Sequence, residues 1–209
     1  FGVGEDFDTY PRDLSRDQAL LEEKHVDALF APSISDMYPQ GYHTFVEVGG
    51  AITAKLCGAS RPGHFKGVAT VVSKLFNICV PDKAYFGQKD AQQAMVIEKM
   101  VRELNFPLEI VRVPIVREED GLAKSSRNVY LDAEQRKQAL VLSKALAEAH
   151  SQIKRGERDV ARLKEIMREV IAASPQANID YVEIYDAADL GDVDQVDRNV
   201  LIALAVKFG

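Results

Sequence analysis

The sequence has no tryptophan, only two cysteines and no long apolar run. Two cysteines, Cys57 and Cys79, are too few for a disulfide framework, and neither has a second cysteine at metal-ligand spacing. The longest apolar stretch, from Val68 to Val80, is interrupted by polar residues, so no segment is predicted to span a bilayer. No apolar signal-peptide core and no Asn-x-Ser/Thr site occur either, which favours a reducing, cytoplasmic location.

Several catalytic motifs are also absent. There is no G-x-x-x-x-G-K-S/T phosphate loop and no G-x-S-x-G elbow, and Gly2-Val3-Gly4 lacks the third glycine of a dinucleotide fingerprint.

The charge balance is slightly acidic: with 26 Lys and Arg against 32 Asp and Glu, the formal net charge is −6. We therefore expect neither a nucleic-acid nor a membrane partner, and an anionic substrate would need a local cluster of cations. The acidic run Glu5, Asp6 and Asp8 is interpreted as a solvated face.

Hydrophobic periodicity predicts an α/β fold followed by a smaller α+β unit. Strands that alternate with helices in the first half indicate a parallel sheet with crossover helices. The elements predicted there are a helix over 15–24, a short buried strand over 26–30, a helix over 64–79, a strand over 83–86, a helix over 90–104 and a strand over 108–114. The second half is predicted to contain a helix capped by Asp132 that ends at Gly156, a helix that begins at Asp159, and strands over 179–185 and 200–208. The predicted domains are 1–114 and 115–209.

The most informative segment runs from Phe86 to Gln93. Its polar residues follow a predicted strand and open a predicted helix, which is where open α/β sheets bind ligands. Gly87 permits a close backbone approach or a positive φ, Lys89 offers a charge to phosphate, and the helix N-terminus adds backbone donors. Gln93 would face the same crevice. The alternative is a plain turn with Asp90 as helix cap and a solvated lysine.

A second polar loop covers residues 120–128. Lys124 and Arg127 flank two serines, and arginine offers a bidentate fork to phosphate oxygens while serine hydroxyls can donate beside it. The alternative is an exposed polar loop without a ligand.

A third stretch, residues 61–67, is a turn that leads into the apolar helix. Arg61, His64 and Lys66 are suited to a carboxylate or a phosphate, although they could equally form the polar start of a helix.

The other three histidines lack a Cys or His partner at ligand spacing, so no metal site is predicted. Two phosphate-type loops on one α/β sheet, without a phosphate-loop motif, favour nucleotidyl transfer.

These stretches together carry a family likeness. Residues 5–12, 61–65 with 70–76, 86–93 and 120–128 occur in order and closely resemble the pantothenate synthetase (pantoate–beta-alanine ligase) family over essentially the whole chain. The resemblance implies an ATP- and Mg²⁺-dependent ligase of coenzyme A synthesis. It would join pantoate to beta-alanine through a pantoyl adenylate, releasing pyrophosphate and AMP. It also implies a Rossmann-like nucleotidyltransferase domain, a C-terminal domain that closes over ATP, and a homodimer.

The resemblance also assigns roles to individual residues. Lys89 and Arg127 would stabilise charge in the transition state. The residues implied to bind ATP are Gly87, Gln88, Lys89, Asp90, Val116, Lys124, Ser125, Ser126 and Arg127. Those implied to bind pantoate are Gln93, Arg61, His64, Val71 and Val72.

The chain departs from the family pattern at its ends and at one loop position. The family's His-x-Gly-His motif, which includes its proton donor, and a substrate-binding glutamine would lie upstream of Phe1, and the C-terminal tail is a few residues short. Lys124 stands where the family often has Met or Leu. We therefore expect the chain to lack an N-terminal segment and to be inactive alone. The alternatives are another nucleotidyltransferase, or a non-catalytic fragment that retains the fold and the dimer surface.

Overall fold

The computed structural model describes residues 5–209, so the Gly2-Val3-Gly4 segment lies outside the described part of the chain. The first half contains short and long helices around two strands, and the second half places three helices before two strands. The elements are α1 (Leu14–Glu23), α2 (Ile34–Met37), α3 (Ala51–Ala54), α4 (Cys57–Ser60), α5 (His64–Cys79), β1 (Lys83–Gly87), α6 (Ala91–Glu103), β2 (Glu109–Val113), α7 (Ala133–Ala139), α8 (Val141–Lys154), α9 (Val160–Ala172), β3 (Ala177–Asp186) and β4 (Val200–Phe208).

The predicted parallel sheet is confirmed in the first half. Strands β1 and β2 pair in parallel, with Lys83 opposite Glu109, and α6 provides the crossover between them. Helices α5 and α6 pack against this sheet through buried apolar side chains. Phe76 at the centre of this core meets the Phe106 ring edge-on at 5.7 Å, an arrangement that aromatic pairs favour.

The second half is the predicted small α+β unit. Strands β3 and β4 are antiparallel over their whole length, and α8 and α9 cover them with a core that includes Leu163, Met167 and Val182. Asp132 forms the predicted capping box with Gln135, and the side chain of Asp159 accepts from the Arg162 amide. Both helix starts are therefore confirmed.

The single helix predicted from Asp132 to Gly156 is wrong in one respect. The structure divides it into α7 and α8 at Leu140. The Leu140 amide donates to the Lys137 carbonyl, three residues back, and the Ser143 hydroxyl donates to the Leu140 carbonyl. Side-chain competition for helix carbonyls of this kind interrupts regular hydrogen bonding.

The predicted buried strand over 26–30 is also wrong. These residues are irregular and exposed, with Val26, Leu29 and Phe30 each more than two-fifths accessible. His25 has a positive φ of 57°, which turns the chain as it leaves α1. A strand also needs a neighbour for its backbone hydrogen bonds, and no strand within residues 5–209 pairs with this segment.

The two halves are joined by packing and by specific polar contacts. Leu190 and Tyr181 from the second half pack into a cluster with Ile52, Phe65 and Met95 from the first. The ammonium group of the first half's Lys55 donates to the Leu190 carbonyl at 2.9 Å and to Asp192 at 2.6 Å. None of the helices within residues 5–209 combines the length and the apolar character that crossing a membrane would require.

Candidate functional site

The first polar loop follows the carboxyl end of β1. Residues Gln88–Asp90 form a single 3₁₀ turn between Gly87 and α6. The Lys89 ammonium lies 3.6 Å from the Asp90 carboxylate, and two-fifths of the Lys89 side chain is exposed. Asp90 stands at the start of α6 but makes no capping hydrogen bond with its side chain. The alternative of a plain turn in which the Asp90 side chain caps the helix is therefore not supported by the structure.

Gly87 is in extended backbone, with φ of −71°, so the expectation of a positive φ is wrong at this position. A Cβ at Gly87 would meet nothing within 4 Å. The glycine therefore leaves open space beside the strand end, which agrees with the other expectation, a close backbone approach by a ligand.

Two adjacent glutamines at the start of α6 have different environments. Gln92 is 5% exposed; its amide nitrogen donates to the carbonyls of Ile52 and Lys55, and its amide oxygen accepts from the Cys57 backbone. Gln92 therefore ties α6 to the short helices α3 and α4. Gln93 is half-buried, and no side-chain hydrogen bond of Gln93 is formed within the described residues. Gln93 is thus the glutamine available to a ligand.

In the second polar loop the chain folds back on itself and is closed by backbone hydrogen bonds. The Lys124 amide donates to the Val116 carbonyl at 2.9 Å, and the Val116 side chain is exposed. The Lys124 ammonium lies 3.7 Å from Glu118. Ser125 caps the 3₁₀ helix Ser126–Tyr130 by accepting from the Arg127 amide.

The Arg127 guanidinium meets the acidic run near the start of the chain. Its Nε and Nη2 groups donate to the two Asp6 carboxylate oxygens at 2.8 and 2.9 Å. The Tyr130 hydroxyl donates to the same carboxylate at 3.3 Å, and the Tyr10 ring lies 5.2 Å from the guanidinium carbon. The hydrogen bonds from Arg127 hold the pKa of Asp6 below its usual value.

Arg61 makes a matching contact with the neighbouring acid. Its Nε and Nη2 groups donate to the two Glu5 carboxylate oxygens at 2.6 and 2.7 Å, and these bonds raise the pKa of Arg61. Its Nη1 group lies 3.1 Å from Nε2 of His64. Because a guanidinium can only donate, Nε2 of His64 must accept, which leaves the ring proton on Nδ1. Burial, followed by the charge of Arg61, lowers the pKa of His64.

These contacts bring residues from all three polar stretches into one electrostatic neighbourhood. Arg61 and Arg127 are held by adjacent carboxylates, and the charge of Asp90 also acts on His64. The interpretation of Glu5 and Asp6 as a solvated face is wrong, since both carboxylates are paired with arginines. Sequence reasoning missed them because their partners lie 56 and 121 residues away.

Val71 and Val72 lie on α5 and contribute mainly to the core. Val72 is buried in the cluster formed by α5 and α6, and Val71 is partly buried against it.

A cavity and the question of metal ligands concern parts of the structure outside the polar loops. A cavity of about 340 Å³ is bounded by Gly49, Arg102 and Asp189 and contains none of the predicted site residues. Within residues 5–209, no three His, Cys, Asp or Glu side chains converge in a way that could hold a metal ion.

Comparisons with known proteins agree on one family. A family model described as pantoate-beta-alanine ligase matches residues 1–209. Pantothenate synthetase from Syntrophomonas wolfei is 66% identical, and that from Pelotomaculum thermopropionicum 58% identical, each over all of this chain and 74% of its own length.

Solved structures agree with the sequence comparisons. A pantothenate synthetase from Thermus thermophilus superposes with a TM-score of 0.96 at 49% identity, covering 100% of this chain and 75% of its own. A pantoate-beta-alanine ligase from Francisella tularensis, solved in complex with beta-gamma ATP and beta-alanine, superposes with a TM-score of 0.71 at 30% identity. That match covers 96% of this chain and 72% of its own.

Proposed function

Because the chain belongs to the pantoate-beta-alanine ligase family, we propose that it condenses pantoate with beta-alanine in an ATP-dependent ligase reaction. The observation that carries this proposal is the family match along all 209 residues. The arrangement of the polar loops supports it, since cations from distant parts of the chain share one neighbourhood that suits an anionic substrate.

The reaction has two steps. A carboxylate oxygen of pantoate attacks the α-phosphorus of ATP, and the bond to the pyrophosphate breaks. The amine of beta-alanine then attacks the acyl carbon of pantoyl adenylate, loses a proton and expels AMP. Negative charge grows on the phosphates in the first step, so a correctly placed cation contributes on the order of 10²–10³ in rate.

We assign the triphosphate to the two loops around Lys89 and Arg127. Two-fifths of the Lys89 side chain is exposed at a strand end, and the Arg127 side chain is 47% exposed. Both can therefore reach a phosphate from solvent. The wider ATP-binding set stays as the sequence predicts it, with Gly87, Gln88, Asp90, Val116, Lys124, Ser125 and Ser126.

Pantoate is assigned to the side of the neighbourhood formed by Arg61, His64 and Gln93. The Arg61 guanidinium suits a carboxylate, and Gln93 has an amide free for a hydroxyl or a carboxylate. Val71 and Val72 would form the apolar wall behind it, although Val72 is mostly engaged in the core.

Mg²⁺ fits this scheme as a companion of ATP. Magnesium is usually held by one or two carboxylates together with substrate phosphates, and it supplies charge neutralisation there. In that mode the exposed Asp90 carboxylate would join the phosphate oxygens.

The proposal also includes the arrangement of the whole protein. It assigns residues 1–114 to the nucleotide- and pantoate-binding domain and residues 115–209 to a domain that closes over ATP. We also propose that the protein is a homodimer and that it acts in the cytoplasm. That the 209 residues alone are inactive stays a prediction.

The test follows AMP and pyrophosphate in reactions with ATP, pantoate and beta-alanine, using the protein as its gene encodes it and, separately, the 209-residue chain. AMP that accumulates only when both organic substrates are present supports the ligase. AMP formed without pantoate would indicate a different nucleotidyltransferase, and silence of the gene-encoded protein would reject the activity.

A further inference from the structure

The residues assigned to phosphate binding in the second polar loop, 124–127, follow a short hairpin formed by residues 116–124. An antiparallel bridge joins Arg117 to Ala123 within it. Leu122 is only 7% exposed and therefore anchors this hairpin in the interior. The stretch proposed to meet ATP thus continues from an ordered part of the chain. We call residues 116–124 the loop hairpin.

The tip of the loop hairpin is fixed by its own turn. Gly121 has a φ of +96°, a left-handed conformation that favours glycine, and a Cβ there would come within 3.3 Å of the Ser143 hydroxyl oxygen on α8. The Asp120 carboxylate accepts from the Leu122 amide at 3.1 Å. A bond from an aspartate to the amide two residues later stabilises a turn locally. The tip is therefore tightly bent and lies close to α8.

The second carboxylate oxygen of Asp120 ties the loop hairpin to α7. The Arg136 guanidinium donates to it at 2.8 Å, and each of the two side chains is 38% exposed. Helix α7 is itself held by the capping box at Asp132 and by the buried side chain of Ala139. Because Asp120 uses one oxygen for the turn and the other for α7, it joins the hairpin to the body of the second half.

Asn128 closes the phosphate-binding stretch from its other end. Its side-chain amide nitrogen donates to the Ala123 carbonyl at 3.0 Å. Ala123 precedes residues 124–127 and Asn128 follows them, so this bond brings the two ends of the stretch together. A stretch that is closed in this way is ordered before a ligand arrives, and binding then costs less conformational entropy.

We propose that Asp120, Arg136 and Asn128 are positioning residues that hold residues 124–127 in the conformation that receives the triphosphate. They act through the backbone and the turn of the loop. The identity of the ligand rests on the proposed function, whereas the order of the loop rests only on the contacts described. Without these contacts ATP would have to order the loop on binding, so the cost should fall on the KM for ATP.

The kinetic test uses the protein as its gene encodes it and compares Arg136→Gln and Asn128→Ala with Arg162→Gln. Arg162 forms an exposed pair with Glu165 in the same half of the chain, so it is a matched control that should behave as the wild type. The two loop variants should each raise the KM for ATP by about 10-fold and change kcat and the KM for pantoate by less than about 3-fold. Arg136→Lys keeps a cation facing Asp120 and should restore most of the loss.

Two kinetic results would overturn the proposal. An unchanged KM for ATP in both loop variants would mean that these contacts do not matter to the triphosphate. An equal rise in both KM values, together with a lower melting temperature, would mean a general loss of structure. The Asp120–Arg136 pair is partly exposed and contributes little to overall stability, so Arg136→Gln should fold. If it does not fold, Asp120→Asn takes its place, because asparagine keeps an acceptor for the Leu122 amide.

Amide hydrogen exchange without substrates separates this inference from the proposed function. The Lys124 amide, which donates to the Val116 carbonyl at 2.9 Å, should be protected in the wild type and should exchange about 10-fold faster in Arg136→Gln. A protected Lys124 amide in a protein that forms no AMP would support the ordered loop and reject the ligase activity. Exchange at the rate of an unstructured peptide in an active wild type would reject the ordered loop and leave the ligase activity standing.

Discussion

Replacing Gln92 by alanine should destabilise the protein although Gln92 contacts no predicted substrate. Its side chain forms three hydrogen bonds to backbone groups of Ile52, Lys55 and Cys57, at 3.0, 2.6 and 3.0 Å. These groups belong to the α3–α4 segment, which also packs Ile52 and Leu56 against Met95 and Val96 of α6. The substitution removes all three hydrogen bonds at once and leaves the three backbone groups without this partner.

The expected cost follows from burial. An unsatisfied buried polar group costs about 1–3 kcal/mol. The bond to Ile52 is fully buried, whereas those to Lys55 and Cys57 are partly buried, so water can compensate for some of the loss. We expect a loss of about 2–4 kcal/mol in the free energy of unfolding. For a chain of this size that corresponds to a fall of about 4–16 °C in Tm.

Gln93 provides the matched control one residue away on the same helix. Without a side-chain hydrogen bond to any described residue, Gln93→Ala should change stability by less than about 0.5 kcal/mol. Both variants are compared by urea unfolding and by thermal melting under one buffer condition. A Tm for Gln92→Ala within about 2 °C of the wild type would refute the argument from unsatisfied backbone groups.

The remaining predictions concern function and pH. Lys89→Ala should lower turnover by at least about 10² with little change in Tm, because its contact with Asp90 is an exposed pair; wild-type turnover would contradict the phosphate role. Gln93→Ala should raise the KM for pantoate more than the KM for ATP, and the reverse would reassign the residue. Because folding lowers the pKa of His64, the unfolded chain binds the proton first, so stability should fall as pH drops below about 6.5. His64→Gln should flatten that dependence in unfolding measured from pH 7 to 5, and an identical slope in both proteins would rule out His64 as its source.

Features that depend on neighbouring residues could be predicted from the sequence. The caps at Asp132 and Asp159 were predictable because each carboxylate binds an amide within three residues. The parallel sheet followed from the alternation of helices and strands, since parallel strands need a crossover. The three polar stretches were found for the same reason: their residue types are close together along the chain.

Features that depend on distant partners could not be predicted. The apolar composition of residues 26–30 suggests a strand, yet a strand exists only beside another strand. The sequence Gln92-Gln93 gives no sign of which amide is buried, because the deciding carbonyls lie some 40 residues earlier. The carboxylate of Asp6 likewise meets Arg127 only when the two halves of the chain come together, and that of Glu5 meets Arg61, 56 residues away, only when the first half folds.

The pairing of Glu5 and Asp6 with arginines bears on how an acidic protein binds polyanions selectively. The chain carries a net charge of −6, so attraction must come from local groups. Arg61 and Arg127 each retain a carboxylate partner, so a small monovalent anion gains little net attraction from either one. A ligand that reaches both loops gains contacts with Lys89 and with Arg127. We therefore expect the site to favour triphosphates over inorganic phosphate through the number of contacts rather than through excess positive charge.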